Sequence, residues 1–590
     1  MFDSITTWLF DTNWIIGALG LVLVVGLYQA FKTKRTEFGL IVLAAALQIA
    51  SLYVTLPALA ILAPLALAAV LPKQSRELRL PTVCPLPLLA VIIILAAATR
   101  LKGIESLTIS GANDFGWETS SSYMASSTWH SAVMSGIKHH SISQGFLWHV
   151  MYFVMHKVTD DPIIGGRLFF AMASIANIGL VFLVSRLLYG NWVAIVASAI
   201  FAFTPLEPAW ARSNYGMVLA TSLSLLVAYS TFRTLRVSPI IFSALTMLSY
   251  PAATTMGIFP LVAGCIARSR RAIFVGLAGL SLWILAPSLI VSVTELSPTW
   301  ISPMRLHSSD RSIVDVANKA PQWGESLTTS LYKNVRSLAA KVDAFSDGDE
   351  YFVLSALKPK YLLGRITLIF LPVGLYLIRG SRNGLALVCW LALSLVTAVT
   401  SVDVIPRRFS TFIAPISIIS GYGAAVAVAA LWRPVAIALA TIVVCGVMSF
   451  TTYFRDLRAP YTFSTSVVSV VEKELHNNTL VLLDNIPAPC VSWIFHRLGS
   501  YAQQGSYISN RTGSPDTPLE LTNDMAKEMP WYRDTSIKDT FSPGPVSRIV
   551  VFAANAAHPP HAAPGLAVTE HSTITIEWFT LHKFVIERAH

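Results

Sequence analysis

Between residues 12 and 452 the chain returns again and again to uncharged apolar runs. Residues 12–31 carry no charged side chain, and neither do residues 168–185. A helix of about 20 such residues matches the hydrocarbon thickness of a bilayer. Only a helix or a closed barrel satisfies its own backbone there. Runs this long and this frequent predict a polytopic all-α membrane domain, and they are too many for a signal peptide. Composition agrees: the chain is 54% hydrophobic and 13% charged, against roughly 25% charged in soluble domains.

The runs predict about 14 spans, at 12–31, 37–54, 56–71, 85–100, 167–186, 190–206, 215–231, 237–250, 252–267, 271–292, 363–378, 383–400, 409–431 and 434–452. The connections alternate. One set is short and basic, with Lys32, Lys34 and Arg35; Lys73, Arg76 and Arg79; Arg233 and Arg236; Arg268, Arg270 and Arg271; Arg379 and Arg382. The positive-inside rule assigns it to the cytoplasm. The N-terminus and segments 101–166, 207–214, 293–362, 401–408 and 453–590 then lie outside. The assignment downstream depends on two short spans within 237–267, separated by Ser249, Tyr250 and Pro251. The net charge of +11 is absorbed largely by these cytoplasmic clusters, so no nucleic-acid partner is expected. The five cysteines, Cys84, Cys265, Cys389, Cys445 and Cys490, form no readable disulfide framework or CxxC site.

Three regions are expected: extra N-terminal spans at 1–84, a catalytic membrane domain at 85–452 with outer loops 101–166 and 293–362, and an extracytoplasmic α/β domain at 453–590. Within loop 101–166, Thr119 to Ile137 and Phe146 to Val158 read as helices on the membrane surface or packed against the bundle. Loop 293–362 is longer than an ordinary connection and is expected to be functional or partly helical. The last region has strand-like runs at Thr479–Leu483 and Ser547–Ala553 and a hairpin at 573–587. Asn477 and Asn510 each open an N-x-[ST] pattern, which matters only in a glycosylating host. No Walker A, GxGxxG or HExxH motif and no internal repeat is present.

Span centres hold almost no charge, which argues against an ion-coupled transporter. Charge gathers at the outer ends instead. Asp114 and Glu118 follow a span in the first outer loop. Asp114 reads either as a general base or as a helix N-cap. Glu207 and Arg212 flank Trp210 in the second, short loop, where interfacial anchoring is the plainer reading. Arg407 and Arg408 form an outward pair suited to bidentate phosphate binding, or to headgroup snorkelling. His139, His140 and His149 are too irregular for a zinc site. Asp343, Asp347, Asp349 and Glu350 lack calcium-loop spacing and read as a solvated loop.

In order and placement these features resemble the GT-C superfamily of membrane glycosyltransferases, in its protein O-mannosyltransferase-like and aminoarabinose-transferase-like branch. The resemblance covers roughly 85–452. It rests on Asp114 ahead of Tyr123-Met124-Ala125 and Met134-Ser135-Gly136, on Gly166-Arg167-Leu168 opening the next span, on Pro205 through Tyr215, and on Arg407-Arg408-Phe409 with Pro415 beyond. Many members carry adjacent acids in the first loop; here the pair is Asn113-Asp114, with Glu118 four residues on.

The resemblance implies a polyprenyl-phosphate sugar as donor and a hydroxyl on a glycan, lipid or protein as acceptor. Asp114 would be the base, with Glu118 or Glu207 sharing that role. Arg407, Arg408, Arg212 and Arg167 would hold the donor phosphate. A divalent metal, Mg or Mn, would bind at Asp114 and Glu118 if one is used. The expected setting is a bacterial inner membrane with the C-terminal domain in the periplasm. Two rival readings stand beside it: a flippase for a lipid-linked saccharide, and a non-catalytic envelope assembly protein.

Overall fold

The computed structural model describes residues 12–50, 57–71, 84–101, 146–156, 162–204, 206–211, 216–293, 320–342, 362–400, 410–431, 479–484, 507–511, 548–554, 566–576 and 579–588, with a few isolated positions between them. They fall into a helical unit and a C-terminal sheet, each taken by itself below.

The helical unit runs α1 (Thr12–Thr33), α2 (Thr36–Ala50), α3 (Pro57–Val70), α4 (Pro85–Leu101), α5 (Phe146–His156), α6 (Pro162–Tyr189), α7 (Asn191–Phe203), α8 (Leu206–Ala211), α9 (Met217–Phe232), α10 (Ser238–Met247), α11 (Phe259–Ala267), α12 (Arg270–Val293), α13 (Leu327–Val342), α14 (Leu362–Ile378), α15 (Arg382–Val399) and α16 (Ile413–Leu431). Several starts carry a proline: Pro57, Pro85 and Pro162 stand at the first helical position, where the missing N–H costs nothing. Each expected span but the last coincides with a helix, and 434–452 lies outside the described residues. The stretches 165–189 and 410–429 are long and apolar enough to cross a membrane by length and composition, and shorter apolar helices surround them. Large apolar side chains face outward, Phe31 at 89% exposure and Phe274 at 73%, a surface that suits lipid better than water.

The segment 237–267 resolves into α10, a 3-10 turn from Pro251 to Ile258, and α11. Thr411 Oγ1 donates to Ala252 O (3.2 Å) and Thr255 Oγ1 to Leu393 O (2.8 Å), which ties that turn to the bundle. Loop 293–362 is partly helical, as expected: α13 is held to α15 through Asn334 Nδ2, which donates to Val399 O at 2.8 Å.

At the centre α7 is buried along its length from Trp192 to Phe203, as a helix apolar all round must be. Trp192, Val196 and Ile200 pack on Ala424, Ala425 and Val428 of α16, and Trp192 Nε1 donates to Ala425 O at 3.0 Å. Glycines let the backbones approach: a Cβ on Gly421 would lie 2.6 Å from Ala197 Cα, and one on Gly374 of α14 would strike Ile419 O. Small residues at such crossings are the usual means of packing helices in a membrane. The N-terminal helices are not loosely appended. Leu19, Phe38, Ile41 and Ala44 share a core with Ile369, Val373 and Tyr376 of α14.

The C-terminal unit is a five-stranded sheet of β1 (Thr479–Asp484), β2 (Tyr507–Arg511), β3 (Arg548–Ala554), β4 (Leu566–Ile576) and β5 (Phe579–Arg588), in the order β2-β1-β3-β5-β4. The pairs β1/β2 and β1/β3 are parallel, while β3/β5 and the hairpin β4/β5 are antiparallel. Parallel pairs need crossovers; here these are residues 485–506 and 512–547, outside the described set. Val550, Phe552, Phe584 and Ile586 are buried. Lys583 is anchored between Glu474 Oε1 (2.7 Å) and Glu570 Oε1 (3.2 Å).

Candidate functional site

The helical unit buries a polar chain where α4, α6, α7 and α8 meet. Arg100 is in the last turn of α4 and Ser174 is on α6. Glu207 opens α8, the short connection between α7 and α9. All three are 0% exposed. Arg100 Nε donates to Ser174 Oγ at 2.7 Å, and Ser174 Oγ donates to Glu207 Oε1 at 2.8 Å. The guanidinium also donates to Ala202 O at the end of α7 (3.0 Å) and, at longer range, to Ala96 O and Thr99 Oγ1. Each charge is therefore hydrogen-bonded, the condition under which burying it is tolerable.

Local sequence explains the arrangement. The apolar run of α4 ends at Arg100, which folds back onto carbonyls of its own last turn. The backbone N–H of Glu207 donates to Thr204 O at 3.1 Å, so the chain turns sharply out of α7 and brings the carboxylate back over α6. Burial pushes the Glu207 carboxyl up to about 7; the Arg100 charge and hydrogen bonding by Ser174 and Asn177 oppose that shift. Asn177, one turn along α6, donates to Val218 O at 3.3 Å.

Arg167 is nearby in chain order on α6 and is also buried. Its Nη1 donates to Ile104 O at 3.2 Å. Ile104 lies just beyond the end of α4, so two arginines grip the chain on either side of residues 102–103.

Of the residues singled out from sequence, Glu207 and Arg167 belong to this region. Asp114, Glu118, Arg212, Arg407 and Arg408 lie outside the described residues, as do His139, His140, the cluster from Asp343 to Glu350, and the stretch Thr119 to Ile137. The stretch from Phe146 is helical, as α5. Arg100 and Ser174 were not singled out. The available signal was Arg100, with Lys102 two residues on, closing an apolar run at an end that the loop-charge reading expects outside, against the usual charge bias.

Among the described residues no three His, Cys, Asp or Glu side chains converge as metal ligands. Glu207 is a poor candidate ligand in any case, because its carboxylate is turned onto a chain ending in a guanidinium, whose charge opposes a dication.

No family model matches the chain and no curated protein matches its sequence. Solved structures do match. ArnT from Cupriavidus metallidurans in the apo state aligns over 85% of this chain and 97% of that one, at 9% identity and a TM-score of 0.51. ArnT from the same organism bound to undecaprenyl phosphate aligns over the same shares at 11% identity and a TM-score of 0.49. The oligosaccharyltransferase AglB from Archaeoglobus fulgidus, solved with an inhibitory peptide and a dolichol-phosphate, aligns over 79% of this chain and 69% of that one, at 11% identity and a TM-score of 0.42. At these identities the likeness is one of fold, and the apo ArnT alignment carries it.

Proposed function

The chain has the fold of the GT-C membrane glycosyltransferases, and on that premise we propose that it moves a sugar from a polyprenyl-phosphate donor to an acceptor hydroxyl at the outer face of a membrane. The observation that carries this reading is the Arg100–Ser174–Glu207 chain at the short α7–α9 connection of a GT-C-like bundle. A fold alone does not fix a function. Ionisable side chains built into an apolar bundle mark a functional region by default, and these order the helix ends there rather than meeting a headgroup themselves. The ArnT and AglB structures with undecaprenyl phosphate and dolichol-phosphate point to the same class of donor.

In this reading about 14 spans place residues 101–166, 293–362 and 453–590 outside, and the five-stranded sheet belongs to an extracytoplasmic α/β domain. The setting is a bacterial inner membrane. Asp114 takes the proton of the acceptor hydroxyl, and Glu118 supports it. The freed oxygen bonds to the anomeric carbon as the bond from that carbon to the phosphate oxygen breaks, and polyprenyl phosphate leaves. Attack opposite the leaving group inverts the anomeric centre. Arg407, Arg408 and Arg212, together with Arg167, stabilise charge gathering on the phosphate. The candidate metal ligands Asp114 and Glu118 lie outside the described residues, so no step is routed through a metal.

The test is transfer by the purified protein in lipid nanodiscs, given radiolabelled polyprenyl-phosphate sugars and a cell-envelope extract. A transferase releases polyprenyl phosphate in step with labelled acceptor. In sealed vesicles, movement of intact donor across the bilayer without cleavage would establish the flippase instead. Neither cleavage nor movement across a panel of hexosyl and pentosyl donors would leave the assembly role.

A further inference from the structure

Glu207 is placed by sequence among the candidate bases, but its surroundings assign it different work. A general base must come within about 2.6–3.2 Å of the proton it removes, directly or through one water. The Glu207 side chain is 0% exposed, and Oε1 already accepts the Ser174 proton at 2.8 Å. What Glu207 can act upon is Ser174, and through it Arg100.

Arg100 sits at a mechanical junction. Its guanidinium joins the end of α4 to α6 through Ser174 and to α7 through Ala202 O. Immediately beyond, Arg167 holds Ile104 O, and the Ile104 side chain is buried at 6% exposure. The chain is therefore clamped at residues 100 and 104, and residues 105–113 lead from that clamp to Asp114.

We propose that Glu207 is a positioning residue: by accepting the Ser174 hydroxyl proton it orients Ser174 to receive Arg100 Nε–H, and so fixes the chain at the end of α4, from Arg100 to Ile104, the point from which it runs on in sequence toward Asp114. This rests on the transferase reading for its consequence in catalysis, but the clamp itself can be tested without activity.

The first readout is structural. In a variant lacking all five cysteines, Ile104→Cys is labelled with a water-soluble maleimide in nanodiscs, alone and combined with Ser174→Ala, Ser174→Thr or Glu207→Gln. Labelling is expected to be slow in the parent. It should rise about tenfold or more in Ser174→Ala, the scale set by losing a clamp worth roughly 1.4 kcal/mol. Ser174→Thr keeps the hydroxyl and should restore slow labelling, and Glu207→Gln keeps an acceptor oxygen and should stay near the parent. Size-exclusion profiles and thermal melts show that each variant is folded. Unchanged labelling in a folded Ser174→Ala protein would overturn the proposal.

The second readout is kinetic and orders the variants oppositely for the two roles. Positioning predicts that Ser174→Ala lowers kcat on the order of tenfold to a hundredfold with donor KM little moved, the cost of misplacing a reacting group. It predicts that Glu207→Gln loses less, about threefold, and keeps the acid limb of the pH–rate profile. A base role predicts the reverse, and loss of transfer together with that limb in Glu207→Gln would overturn the proposal. Should no donor support transfer by the parent, the transferase reading fails by itself, and the labelling comparison still decides the clamp.

Discussion

Ser174 Oγ stands 2.8 Å from Glu207 Oε1 and donates its proton there, although 33 residues separate the two in the chain. The contact joins α6 to the short helix after α7 and leaves a carboxylate fully enclosed. Burial raises the Glu207 carboxyl from its ordinary 4.5 to about 7. A carboxyl raised on folding binds its proton more tightly in the native state. Stability is then greatest below about 4.5 and declines as pH rises through about 7. Thermal melts of wild type in detergent should fall across that window, and Glu207→Gln should flatten the fall. Parallel pH curves for the two proteins would mean the carboxylate is solvated.

Besides the apolar core they share with α14, the N-terminal helices are tied to the bundle through Arg379, which substitution can probe. Arg379, just after α14, donates from Nη1 to Ala68 O (3.1 Å) and Ala69 O (2.7 Å) and from Nη2 to Leu71 O, the free carbonyls at the end of α3. A cation on a helix C-terminus satisfies those acceptors and the helix dipole together. Arg379→Met is expected to cost about 2 kcal/mol and to speed protease cleavage within α3. Arg379→Lys, with fewer donors, should fall between. Wild-type melting and protease resistance in Arg379→Met would show that the shared apolar core alone holds α1–α3.

The α14–α16 crossing should tolerate no side chain. A Cβ on Gly374 would strike Ile419 O, and one on Gly423 would strike Phe370 O, both backbone atoms. Gly374→Val is expected to abolish folded, monodisperse protein, and Gly374→Ala to cost about 1–3 kcal/mol. Gly179 is the control, because a Cβ added there would meet nothing within 4 Å; Gly179→Ala should match or exceed wild-type stability. Expression and thermal melting of the three variants check this.

In the C-terminal sheet, burial alone would lower the Lys583 pKa, but Glu474 and Glu570 outweigh it and hold the ammonium above its ordinary 10.5. A lysine raised on folding contributes stability that is complete below about 10.5 and is lost as pH climbs through the higher native value. Lys583→Met leaves Glu570 without this partner and should weaken the sheet by about 1–3 kcal/mol at neutral pH. Hydrogen exchange across residues 579–588 should accelerate accordingly. Unchanged exchange would make the apolar contacts of Phe584 and Ile586 sufficient.

The helices were legible because their physics is local. Apolar runs begin beside prolines or charges, as at Pro85 and Arg382, so reading and structure agree to within a few residues there, while the helix read from 167 begins earlier, at Pro162. The strands at 479 and 548 were legible for the same reason, as was the hairpin read at 573–587, although its first strand begins earlier, at Leu566. Strand β2, Tyr507–Arg511, was not: five residues, mostly polar, become a strand only by pairing with β1. Arg100 was missed because its partners lie 74 and 102 residues away. At the end of an apolar run an arginine with a lysine two residues on looks like a boundary marker, and only packing shows that Arg100 points inward. The packing of α1–α3 against α14 likewise depends on surfaces more than 300 residues apart in sequence. The order of the apolar runs predicted a helical membrane bundle, and a solved structure of like fold aligns with the chain at 9% identity.

The most direct measurement is sugar transfer in nanodiscs by wild type and Asp114→Asn, with both proteins shown folded by the same melt. Wild type is expected to release polyprenyl phosphate and label an acceptor with inverted anomeric configuration, and Asp114→Asn to fall by at least about a hundredfold, the scale of a lost general base. Equal transfer by the two proteins would remove Asp114 from the chemistry. Failure of wild type with every donor would contradict the glycosyltransferase itself.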